Sequence, residues 1–101
     1  MCYMEPHPSL KIAIDGAKKI QTHWEDDYVL LRNQLQLWFF SICELTLKYK
    51  ELPVNENVLL AATHYLVENE EKRVSQKKIA ANYNISTYLL NKGINAIRSL
   101  Y

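Results

Sequence analysis

The residues best suited to chemistry lie near the C-terminal end of the sequence, and their chemistry is recognition rather than bond making. Stepping about 100° per residue from Thr87, the period of a helix, places Thr87, Tyr88, Asn91, Lys92, Asn95, Arg98 and Ser99 within one arc of about 140°. Leu89, Leu90, Gly93, Ile94, Ala96, Ile97, Leu100 and Tyr101 fill the other side. One face is built to pack, and the other carries hydrogen-bond donors and acceptors with two cations. An amide offers a donor and an acceptor together, which matches the N6/N7 edge of adenine in a major groove, so Asn91 and Asn95 are the candidate base readers. Thr87 and Tyr88, at the start of the same helix, can reach base edges or phosphates. Lys77, Lys78, Lys92 and Arg98 are candidates for phosphate neutralisation, which supplies affinity and register but no sequence information.

A short preceding helix has to hold this one in place. Ser75 is a candidate N-cap, Ile79, Ala80 and Tyr83 face inward, and Lys77, Lys78, Ala81 and Asn82 face outward. Asn84 sits where the chain must reverse, because asparagine tolerates positive φ. Ile85 then enters the core and Ser86 caps the second helix. Small Ala80, turn-forming Asn84, apolar Ile85 and apolar Leu90 follow the order of a helix-turn-helix over residues 75–101. A purely structural helical hairpin would share most of this pattern.

Charge distribution separates the two readings. From Lys72 to Tyr101 there are six cations and no carboxylate, a net +6, whereas the first 71 residues carry six cations and eleven carboxylates, a net −5. The overall charge of +1 therefore hides a divided molecule, as expected when one end meets a polyanion.

The remainder of the chain reads as helical support. With 101 residues, 49% of them hydrophobic, two glycines and three prolines, the expectation is one all-α domain over residues 9–101 behind a tail at residues 1–8. Apolar spacing predicts a first helix from Ser9 through Leu10, Ala13, Ile14, Ala17, Ile20 and Trp24, with Gly16 tolerated if a neighbour needs close approach. A second helix, about 26–50, carries Tyr28, Leu31, Leu35, Trp38, Ile42, Leu45 and Tyr49, with Leu30, Leu37, Phe40 and Leu47 as a second stripe. Apolar over so much of its circumference, it is expected to be central and surrounded. A third helix, about 56–68, follows the candidate N-cap Asn55 and faces inward with Val58, Leu59, Ala62, Tyr65 and Leu66.

Other classes of function find little support. The charge-free runs 33–43 and 57–67 are eleven residues each, too short to span a bilayer. The N-terminal residues lack the basic and apolar regions of a signal peptide. Cys2, in the tail, and Cys43, expected in a helix core, do not form a disulfide framework, which points to an intracellular setting, cytoplasmic or nuclear. No cofactor, metal site or catalytic residue is expected: His64 lacks partners at ligand spacing, and helix-start carboxylates account for Glu25, Asp26 and Asp27 beside His23.

Residues 58–100 resemble the second half of a cyclin-type repeat of transcription initiation factor IIB. The similarity lies in the alanine-rich helix Leu60-Ala61-Ala62 with Tyr65-Leu66, the polar turn, Ile79-Ala80 and Ile85-Ser86. It implies a five-helix cyclin-like bundle with a long central helix and a DNA-facing last helix. The chain holds one repeat and no cysteine pair for a zinc ribbon, so the implied role is that of a DNA-binding transcription regulator or accessory factor. The implied partner is double-stranded DNA, and since one such domain makes few base contacts, a protein mate or second copy at the acidic first half is also expected. A cyclin-type protein-interaction module without DNA contact is the alternative.

Overall fold

A computed structural model of the protein describes residues 8–101, and these form five helices and no strand. Helix α1 is Pro8–His23, α2 Tyr28–Tyr49, α3 Glu56–Glu71, α4 Gln76–Asn82 and α5 Thr87–Arg98. The segment expected as a tail falls outside the described residues, Cys2 included, except for Pro8. Proline opens α1, a position where its missing N–H is not needed and its φ suits the helix.

Local chemistry accounts for the boundaries. Asp27 precedes α2 in an extended conformation and its carboxylate accepts from the Leu30 amide at 3.1 Å. Asn55 does the same for α3, accepting from Asn57 N at 2.8 Å. Ser86 caps α5 by accepting from Leu89 N at 3.1 Å. Ser75 occupies the N-cap position of α4 but its hydroxyl makes no capping bond.

The packing centre differs from the sequence expectation. Helix α3 touches all four other helices, and it buries Val58 through His64 without interruption, together with Val67. The pair Ala61 and Ala62 lets neighbours approach from several sides at once. Helix α2, expected to be surrounded, is covered on one side only. Leu30, Gln34, Trp38, Ser41, Ile42 and Leu45 are buried, whereas Tyr28, Val29, Phe39, Phe40, Leu47 and Tyr49 lie exposed. Among the described residues, α2 meets α1, α3 and α5 only, which leaves its other side uncovered. Cys43, expected in the core, is exposed on that uncovered side. Leu10 and Ile14 likewise face outward from α1.

Gly16 shows why α1 and α2 can lie close. A Cβ at this position would sit 2.0 Å from Cζ2 of Trp38, whose fully buried indole donates from Nε1 to Ala13 O at 2.9 Å. The glycine leaves room for the ring, and the ring ties the helices together.

Candidate nucleic-acid interface

The reversal between α4 and α5 is built by backbone bonds that the sequence makes possible. Asn84 adopts φ 55°, the left-handed region that asparagine tolerates better than most side chains. That geometry lets Ile85 N donate to Ala80 O at 3.0 Å and Asn84 N donate to Ala81 O at 3.2 Å, the paired pattern of a Schellman C-cap. Ala80 is buried, and Ile85, the residue after the left-handed one, packs against the core. Helix α5 then starts at once from Ser86.

The underside of α5 anchors it. Leu90, Gly93, Ile94 and Ile97 are buried, and a Cβ on Gly93 would lie 3.0 Å from Val58 Cγ1 and 3.1 Å from Ala62 Cβ of α3. Helices α3 and α5 thus approach almost to backbone contact, and the opposite face of α5 is left uncovered. Thr87, Tyr88, Asn91, Lys92, Asn95, Arg98 and Ser99 are all exposed, Tyr88 by 71%. Lys77 and Lys78 on α4 are exposed as well. Two members of the expected apolar side depart from it: Leu89 is 38% exposed, and Tyr101, beyond the end of the helix, is 82% exposed.

The cations of this region have little internal neutralisation. Among the described residues, Lys72 meets Glu68 at 3.6 Å, and no carboxylate lies within ion-pair distance of Arg73, Lys77, Lys78, Lys92 or Arg98. The surface therefore offers charge and amides together, a combination suited to a phosphate backbone with base edges between its strands.

A buried polar network fixes the turn to the body, and sequence reasoning did not find it. His64, 2% exposed on α3, bonds through Nδ1 to the Tyr83 hydroxyl at 2.9 Å and through Nε2 to Glu68 Oε2 at 2.6 Å. Asn57 Nδ2 donates to Tyr83 O, the residue that ends α4, at 2.7 Å. Farther along, Gln34 accepts from Trp24 Nε1 and donates to Leu60 O and Thr63 Oγ1. The His64 ring also packs between His23, at 4.5 Å, and Trp24, at 4.8 Å, between centroids. Burial holds the His64 pKa below its ordinary value, opposed by its bond to Glu68, and the neighbouring His23 acts in the same direction as burial. Burial also pushes the Tyr83 phenol up to about 12. Glu68 stands four residues after His64 on one helix, a spacing that lets the two side chains meet although the sequence reading gave His64 no partner. Their link to Tyr83 spans 19 residues and exists only in the fold. Among the described residues His23 forms no ion pair with Glu25, Asp26 or Asp27, and its ring packs against Trp24 and His64.

Among the described residues no helix is long and apolar enough to cross a membrane. Comparison with protein-family models, with curated proteins and with solved structures finds no match to this chain.

Proposed function

We propose that the protein is a DNA-binding transcription regulator or accessory factor that uses α4 and α5 as a helix-turn-helix, with α5 entering the major groove. The carrying observation is the exposed face of α5: Thr87, Tyr88, Asn91, Lys92, Asn95 and Arg98 all reach solvent in a segment without a carboxylate. On this reading Asn91 and Asn95 address bases, Thr87 and Tyr88 address bases or phosphates near the helix start, and Lys77, Lys78, Lys92 and Arg98 hold the backbone. The sharp reversal at Asn84 and the close seat of Gly93 on α3 support it, since both push the polar face of α5 outward. The cyclin-type arrangement inferred from residues 58–100 belongs to the same reading.

Salt dependence tests the proposal. If four cations each neutralise one phosphate, log affinity falls against log salt with a slope of about −3.6, a loss of roughly 150-fold between about 50 and 200 mM salt. The variant Lys77→Ala/Lys78→Ala would then have a slope near −1.8 and lose only about 12-fold over the same interval. An unchanged slope in the double variant removes α4 from the interface.

A second reading is favoured by the uncovered side of α2, where Val29, Phe39 and Leu47 are exposed. A cyclin-type module that docks a protein there would leave the basic end idle. Absence of duplex binding at low salt selects that reading over the first.

A further inference from the structure

A cleft of about 560 Å³ lies between α2, α3 and the C-terminal end of α5. Its size falls within the ordinary range of small-molecule sites, about 300–1,000 Å³. Leu37 and Leu66 contribute apolar surface, and the rings of Phe40 and Tyr101, 5.6 Å apart, supply an aromatic wall. Glu70 and Arg98 line the same cleft with opposite charges, yet they do not form an ion pair with each other or with any other described residue. Two unpaired charges of opposite sign beside an aromatic wall are complementary to a molecule that carries both charges and a ring.

We infer that this cleft binds a small aromatic zwitterion, of amino-acid or dipeptide size, with its carboxylate on Arg98, its ammonium on Glu70 and its ring against Phe40 and Tyr101. An anion without an amine would meet Glu70 unfavourably, and an amine without a carboxylate would leave Arg98 unanswered. Both protein charges are exposed, so each contributes modestly and the site is weak, with a Kd of about 1 mM for a molecule of amino-acid size. The site stands without the DNA reading. Its consequence for DNA rests on that reading: an occupied cleft takes Arg98 away from phosphate and lowers the salt slope by about one.

The test is an amide-resolved NMR titration of the whole chain with L-phenylalanine, with phenylacetate and phenethylamine as probes lacking one charge each. Saturable shifts centred on Leu37, Val67 and Ile97 are expected, with each single-charge probe binding about threefold to fivefold more weakly. Glu70→Gln should weaken L-phenylalanine by a similar factor while leaving phenylacetate as strong or stronger. No shifts at about ten times the expected Kd, equal affinity for all three probes, or shifts spread along the outer side of α2 would overturn the inference. None of these readouts involves DNA, so failure here and failure of DNA binding are separate results. In the DNA arm, saturating L-phenylalanine with an unchanged salt slope would refute the involvement of Arg98 in both functions.

Discussion

Gly16→Ala is the substitution whose cost the geometry defines most sharply. The added methyl would stand 2.0 Å from Cζ2, 2.4 Å from Cε2 and 2.8 Å from Nε1 of Trp38, and the ring is fully buried. Neither group can yield freely: the methyl is fixed to the backbone of α1, and the indole is held by its bond to Ala13 O. Overpacking of this kind costs about 1–3 kcal/mol, and displacing the ring sacrifices a hydrogen bond worth about 1 kcal/mol net. Alanine returns about 1 kcal/mol through its better helix propensity. The balance is a destabilisation of about 2 kcal/mol, or a fall in Tm of roughly 8–10 °C for a chain of this size. Thermal and urea unfolding followed by circular dichroism would measure it. Adding Trp38→Phe to the variant makes room for the methyl, so the double variant should cost less than the sum of the singles by at least about 0.5 kcal/mol. An unchanged or raised Tm for Gly16→Ala, or strict additivity in the double variant, would show that Trp38 is not seated on Gly16 and that α1 and α2 pack otherwise.

Asn91→Ala should relax base preference while leaving affinity for random duplex nearly unchanged, because an amide that reads a base edge contributes about 1–3 kcal/mol of discrimination; binding to selected and random duplexes in parallel measures it, and equal losses for both refute the assignment. The network around His64 predicts a pH response. Its folded pKa lies below the ordinary value of 6.5, so the unfolded chain binds more protons in the interval between the two. Stability is then complete above pH 6.5 and declines as pH falls through that interval, and His64→Gln flattens the decline in Tm although it lowers Tm at neutral pH. A decline of the same steepness in the variant would assign the effect to other groups. At the alkaline end, Tyr83 keeps its proton in the folded chain up to about pH 12, so stability falls as pH rises above 10. Ultraviolet titration should show one of the seven tyrosines ionising last, and Tyr83→Phe should remove that step.

The sequence disclosed most where structure is set locally. The polar arc of α5, the caps at Asn55 and Ser86, and the left-handed turn at Asn84 depend on residues within a few positions of one another, and all are present. It misled where burial depends on what else is available to pack. Trp38 and Phe39 are neighbouring large aromatic residues, yet one is fully buried and the other is 41% exposed, because only one side of α2 meets the other helices. Cys43 shares the side of Phe39 and was misplaced for the same reason. The centrality of α3 rests in part on small residues: Ala61 and Ala62 permit close helix packing, and Gly93 seats α5 against Val58 and Ala62, but that all four other helices meet on α3 is set by the fold. Two polar contacts carry no local signal: Gln34 is fully buried among Trp24, Leu60 and Thr63, and Tyr83, expected to face inward, bonds to α3 through both its hydroxyl and its carbonyl.

The central claim is that the outward face of α4 and α5 meets duplex DNA. Chemical-shift mapping of the chain titrated with a short duplex at low salt tests it most directly. Perturbations should concentrate at Lys77, Lys78, Thr87, Tyr88, Asn91, Lys92, Asn95 and Arg98 and disappear as salt is raised. Perturbations confined to α1 or the outer side of α2, or none at all, would contradict it.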